Sequence, residues 1–239
     1  MARPPSKPGF PSSAAIRLPM KVWDLATRLF HWLLVASFIT SYLSVTFADG
    51  ANAALLMNIH LWSGEFALFL LVFRLIWGVL GSQTARFANF LRSPSEAIAH
   101  LRHFSAKTPD NQVGHNAAGG WMVVVMLLLI AAQIGTGLFS NDDGNTEGPL
   151  AHFLSKPTSD LISDLHSFNF NLLIAAVLLH VVVIGLYARL KGQNLVAPMV
   201  SGKKRLPAAT LAPRMANPFL AVVVMLIAAG VALLVISLR

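Results

Sequence analysis

The stretch His166–His180, HSFNFNLLIAAVLLH, is an apolar run with an imidazole at each end, fourteen residues apart. Read as a helix, its two histidines lie about 21 Å apart along the axis, and fourteen steps of roughly 100° leave them within about 40° of one face. A single histidine at a helix end is ordinarily an interfacial or hydrogen-bonded residue. Two on one face of a lipid-soluble segment raise a sharper question, because an imidazole turned toward lipid is costly to keep.

The rest of the chain supplies the setting. Of 239 residues, 55% are hydrophobic and 12% charged, far from the balance of a soluble domain. With Leu161–Leu190, four further segments approach the roughly 20 residues needed to cross the hydrocarbon core: about Ala26–Phe47, Met57–Leu80, Ala117–Phe139 and Pro218–Leu238. The expected fold is all-α, an integral membrane helical bundle with a four-helix core and a fifth, C-terminal transmembrane helix. The fourth segment is long enough to tilt or project beyond the bilayer. The third ends near Gly135-Thr136-Gly137, where small residues let a helix or a flat ligand approach. Residues 1–20, rich in Pro and Ser, read as a disordered cytoplasmic tail. Residues 21–202 form the expected four-helix domain, 203–217 a cytoplasmic linker and 218–239 the fifth helix. Ser93–Phe104 has a capping Ser, an early Pro and spaced apolar residues, and reads as a short amphipathic helix on the cytoplasmic face.

The net charge of +8 does not point to nucleic acid, because the basic residues sit between apolar runs without interleaved aromatics. They set orientation instead. Arg3, Lys7, Arg17 and Lys21 precede the first span; Arg86, Arg92, Arg102 and Lys107 lie between the second and third; Lys191, Lys203, Lys204, Arg205 and Arg214 lie between the fourth and fifth. The first outer loop has no basic residue, and the second has only Lys156 among Asp142, Asp143, Glu147 and Asp160. The N-terminus is therefore expected inside and the C-terminus outside. The chain contains no cysteine, which excludes disulfides, thiolate-bound iron–sulfur clusters, covalent c-type haem and zinc–thiolate sites. A metal or cofactor has to be held by His, Met or carboxylate.

Orientation assigns each intramembrane histidine a depth. His60 and His166 fall at the outer level, and His31 and His180 at the inner one. One metal ion cannot serve levels about 20 Å apart, but two stacked haems can each take one pair as axial ligands. Gly64, one turn beyond His60, suits either a flat porphyrin against the backbone or ordinary close packing. Arg74, near the inner end of the second span, suits either a haem propionate or the membrane interface. Arg28 reads as a positive-inside residue. The aromatic belt accounts for most of Trp23, Trp32, Trp62, Trp77 and Trp121, and Glu65 is the main candidate for a buried acid. His100, His103 and His152 are expected in loops, solvated.

VWDLATRLFHWLL (Val22–Leu34), HLWSGEFALFLLVFRLIWGVLGSQTARFANF (His60–Phe90), GHNAAGGWM (Gly114–Met122), the paired histidines of the fourth span and APMVSG (Ala197–Gly202) together resemble the bacterial and hydrogenase-type cytochrome b561 family, over about Lys21–Gly202. The resemblance implies a dihaem b-type cytochrome, with His31 and His180 on the inner haem iron and His60 and His166 on the outer. It implies electron exchange with a quinone, ubiquinone or menaquinone. Relatives carry Gly-His-Asn-Pro at the start of the third span, where this chain has Ala117 in place of proline but keeps His115 and Asn116. These two residues suit a quinone site, or simply cap the helix; a titratable His115 would serve the protons of quinone reduction.

The leading reading is thus a membrane cytochrome that moves electrons between a periplasmic redox partner (a c-type cytochrome, hydrogenase or dehydrogenase) and the quinone pool. It reads as an electron-transfer subunit rather than an independent enzyme. A stand-alone superoxide oxidase-like quinone reductase is the alternative; it would favour cations near the outer haem, where the sequence offers acids. A non-redox transporter would show more intramembrane acids or broken helices.

Overall fold

The computed structural model of the chain describes residues 16–102, 111–144 and 146–239. Most of the expected tail, and His103, Phe104 and Lys107, lie outside the described residues. In chain order the elements are strand β1 (Arg17–Lys21), helices α1 (Leu25–Thr46), α2 (Ala53–Leu80), α3 (Phe87–Phe90), α4 (Pro94–Arg102), α5 (Ala117–Gly137), α6 (Lys156–Lys191) and α7 (Val196–Ser201), strand β2 (Lys203–Pro207), and helix α8 (Pro218–Ile236). Helices α1, α2, α5, α6 and α8 are each long and apolar enough to cross a membrane. The protein is an all-α integral membrane bundle.

Local chemistry fixes where the spans begin and end. The Asp24 carboxylate accepts the Thr27 amide at 2.6 Å to cap α1, and the Asn116 side chain accepts the Gly119 amide at 2.8 Å to cap α5. Asn217 caps α8 ahead of Pro218, and α6 stops at Gly192, left-handed with φ 61°. At 36 residues, α6 is about 54 Å long, against about 30 Å of hydrocarbon, so it must tilt or project.

Helix α1 packs on α2 and α5 on α6, while α2 also contacts α5 and α8. The shared core joins Phe30, Leu70, Phe73 and Trp77 to Leu127, Ile130 and Leu173, and reaches Ala221, Val224 and Ala228 of α8. Within α1–α2 the Ser37 hydroxyl donates to the Ser63 carbonyl at 2.7 Å. Between α1 and α6, Phe38 and Tyr42 stack on Phe170 at 6.1 and 5.7 Å. The residue numbers place this aromatic contact between the two histidine levels of α6.

One end of the bundle, the loop end, holds the α1–α2 and α5–α6 turns. The other holds an antiparallel ribbon, in which β1 pairs with β2 from Arg17↔Pro207 to Lys21↔Lys203. Residues expected in the tail and the linker thus build ordered structure. The Gly202 carbonyl accepts the amides of Val22 and Trp23, and the Thr84 hydroxyl donates to the Val22 carbonyl at 2.6 Å. The remaining linker docks on the turn after α2, where Gln83 and Arg214 exchange hydrogen bonds. The expected amphipathic helix is present as α4, capped by Ser93, whose hydroxyl accepts the Glu96 amide.

Candidate cofactor site

At the loop end, His60 of α2 and His166 of α6 face each other, ring centroids 6.2 Å apart and planes at 86°. Two metal–imidazole bonds of roughly 2 Å, plus about 1 Å from each nitrogen to its ring centre, span about 6 Å. The separation is compatible in length with two imidazoles sharing one metal ion.

Backbone and side-chain contacts orient both rings. The Nδ1 of His60 lies 3.2 Å from the Ser41 carbonyl and 3.0 Å from its hydroxyl; an N–H donated to the carbonyl leaves Nε2 with the free lone pair. His166 meets the Thr136 hydroxyl through Nδ1 at 3.1 Å and the Gln133 amide nitrogen through Nε2 at 3.0 Å. Gln133 is itself held by the Asn169 amide, which donates to its Oε1 at 2.7 Å. A Cβ at Gly137 would stand 2.9 Å from His166 Cε1, so only glycine lets this ring sit against α5. By contrast, a Cβ at Gly64 or Gly135 would meet nothing within 4 Å. Gly64 does not serve tight helix packing here.

Toward the ribbon end, His31 of α1 and His180 of α6 come within electrostatic range of each other, and His31 Nδ1 is buried without a hydrogen-bond partner. Arg74 is 3% exposed, which removes the interfacial reading. Its guanidinium lies over Phe87 at 4.7 Å and Phe30 at 6.0 Å, and Nη1 is buried without a partner. Burial costs this cation hydration, and the Asp24 carboxylate partly offsets that cost. The side chain of Arg28 also bends inward. It donates to the Val200 carbonyl with Nε buried and unpartnered, so it is more than an orienting surface charge.

His115 stands against Trp23 and Phe90, ring centroids 4.8 and 4.9 Å away. The residue as a whole is half-buried, and its Nδ1 is buried and unpartnered. Burial, then the charge of Arg74, His180 and His31, holds its pKa well below the usual histidine value. At neutral pH it is an uncharged imidazole. Asn116 caps α5 and donates to the Tyr187 hydroxyl at 2.6 Å.

Several residues escaped the sequence reading. His100, expected in a solvated loop, sits in α4 with Nε2 2.8 Å from the Tyr187 hydroxyl. Trp77, assigned to the aromatic belt, is 1% exposed; its indole N–H reaches Asp24 and Thr27 at 3.3 and 3.2 Å. Trp23 is buried too, whereas Trp32, Trp62 and Trp121 keep the exposure the belt predicts. Asp24 just before an apolar run carried a readable capping signal. Ser41, Gln133 and Asn169 carried none, because a polar residue inside a span announces neither its direction nor its partner.

A cysteine-free helical membrane bundle that brings histidines of different helices together defines the class of membrane haem proteins of the b type. Among the described residues no three His, Asp or Glu side chains gather as a protein-only cation site requires, whereas porphyrin brings its own equatorial nitrogens and asks the chain for axial ligands alone. The chain belongs to the prokaryotic cytochrome b561 family, whose profile matches residues 22–202. No curated protein and no solved structure matches it significantly. It is accordingly a membrane b-type cytochrome that binds haem b and works in electron transport. The residues present fit that group: paired imidazoles, glycine faces without neighbouring side chains, and buried cationic nitrogens suited to carboxylates.

Proposed function

We propose that the protein binds two haems b and passes electrons between a periplasmic redox partner and the quinone pool. His60 and His166 would hold one haem iron, and His31 and His180 the other. The observation that carries this reading is the 6.2 Å separation of the His60 and His166 rings, with His31 of α1 and His180 of α6 within electrostatic range of each other at the other level. Bound haem supplies a one-electron couple; the chain supplies spacing, orientation and charge.

In this reading Ser41 and Thr136 orient the outer imidazoles, and Gln133 yields its bond to His166 Nε2. Arg74, with Arg28 beside α7, meets propionate carboxylates at the inner haem, where a buried and unpartnered guanidinium nitrogen needs an anion. Gly64 gives the outer porphyrin a smooth backbone face. Quinone binds near Asn116 and His115, with the amide and the neutral imidazole as hydrogen-bond partners rather than as a proton store. The dihaem domain spans residues 21–202, and residues 218–239 are an appended helix.

Charge supports an inner-membrane orientation with the ribbon end cytoplasmic. It also bears on the donor. Of the two cations expected outside, Lys156 is engaged by Asp143 and Asp160 and Arg239 by Glu65 at 3.1 Å. An acidic outer face with its cations already paired suits a basic partner protein better than superoxide, which weighs against the stand-alone reductase.

Haem content of the purified protein, measured with reduced-minus-oxidised spectra, tests the core of the proposal. Two haems per chain are expected, with one lost in His166→Ala and one in His180→Ala. A single haem, or loss of both on either substitution, would sink the pairing. Reduction of the haems by quinol, slowed in Asn116→Ala, tests the quinone site. Reporter fusions at each end test the orientation.

A further inference from the structure

The β1–β2 ribbon sorts its side chains by face. Residues directly opposite in an antiparallel pair share a face, so the register puts Arg17, Lys21, Lys203 and Arg205 on one side with Pro19 and Pro207, and Leu18, Met20, Lys204 and Leu206 on the other. The second side is anchored, with Leu206 at 0% exposure packing with Val22, Trp23 and Met20. The first side is entirely cationic or proline. Neither strand carries an acid, and the ion pairs among the described residues all lie elsewhere. Lys21 stands directly across from Lys203, an arrangement that is destabilising unless an anion sits between them. By strand geometry the four cations fill a strip about 5 Å wide and 14 Å long. Arg17 is pinned within it, its guanidinium donating to the Arg205 carbonyl at 3.1 Å and to Asn111 at 2.8 Å.

The position of the strip selects the anion. β1 ends four residues before Leu25, where α1 begins, and exposed aliphatic side chains border the ribbon, Leu25 just past its end at 56% and Ile16 and Leu18 along its opposite face at 47% and 51%. Cations at the mouth of a spanning helix, flanked by exposed aliphatic side chains, lie where lipid phosphates meet the first acyl carbons. We propose that the cationic face of the ribbon is a binding site for the phosphodiester headgroup of an anionic phospholipid, with the adjoining aliphatic side chains against its chains. The site is independent of the haem and quinone assignments.

The haem-loaded protein in micelles doped with phosphatidylglycerol or phosphatidylcholine, examined by native mass spectrometry, tests this. The native chain should retain phosphatidylglycerol in preference, and less so as salt rises. Each cation removed should weaken retention about fivefold, the size expected for one Lys or Arg at an anionic surface, so Lys21→Ser with Lys203→Ser should weaken it roughly thirtyfold. Lys156→Ser, the removal of one cation at the other end, should leave it unchanged where Lys21→Ser or Lys203→Ser alone weakens it about fivefold, and an unaltered haem spectrum reports intact folding of each variant. Equal retention of both lipids, or no effect of the double substitution, overturns the proposal. So does ribbon-dependent binding of polyglutamate, or of free glycerol phosphate, to the protein in phosphatidylcholine nanodiscs as tightly as the lipid binds.

Discussion

At His166 the fit between ring and helix is set by one missing methyl group. A Cβ on Gly137 would come within 2.9 Å of the His166 ring, so Gly137→Ala must push the imidazole off its Thr136 contact or open the α5–α6 packing. Overpacking of this kind costs about 1–3 kcal/mol. The expected result is a lower haem-to-protein ratio together with a lower unfolding temperature; an unchanged haem content would show that the ring moves freely. His115 yields a second prediction. Its folded state holds the imidazole neutral, below its ordinary value of 6.5, so the unfolded chain binds more protons as pH falls beneath that value. Its contribution to stability is therefore complete above about 6.5 and is lost toward about 3. Unfolding temperature should fall on acidification through that window, with a flatter slope in His115→Phe. The same slope in native protein and variant would remove His115 from the account. Histidines were legible in the sequence because imidazole is conspicuous in an apolar run. Their orienting contacts were not, since the Ser41 carbonyl is backbone and Gln133 looks like any polar residue within a span.

Short elements show where reading by pattern stops. Helix α4 announced itself through Ser93, Pro94 and Glu96, a local capping sequence. Its docking did not, because Tyr187, which joins His100 to Asn116, lies some ninety residues from α4 in the chain. Removing that hydroxyl in Tyr187→Phe should loosen α4 by about 1 kcal/mol, the worth of a typical hydrogen bond. Amide exchange in α4 should then quicken several-fold with haem content unchanged, whereas unaltered exchange would mean that packing around Ala97 alone holds the helix. The ribbon was hidden for two reasons. RLPMK and KKRLP each contain a proline, RLPMK is only five residues long and KKRLP lacks alternation, so neither reads as a strand. Their partners lie far apart in sequence, brought together only once α1 and α6 have packed. Trp77 was misplaced for a related reason: nearness to a helix end is legible, but the Asp24 and Thr27 acceptors that draw its indole inward belong to another helix.

Across the whole molecule, the four intramembrane histidines come from α1, α2 and α6, while α8 packs against α2. Its contact stripe is small, with Ala221, Val224, Ala228 and Ala232 buried, which lets it lie close on α2 without directional bonds. Arg239 adds the pair with Glu65, whose side chains are 49% and 15% exposed. In a bilayer such a polar contact is worth about 0.6 kcal/mol on average, so Glu65→Gln should lower the unfolding temperature only slightly. Packing should dominate. Ala228, 0% exposed, leaves no room for a ring, and Ala228→Phe should separate α8 from α2 at a cost of about 1–3 kcal/mol. Because no histidine of either pair lies on α8, the variant should keep its full b-type absorbance while a cross-link engineered between α2 and α8 no longer forms. Haem lost in step with the cross-link would show that α8 supports the α2 backbone under His60. The bundle would then be one five-helix cofactor domain rather than four helices with a fifth attached.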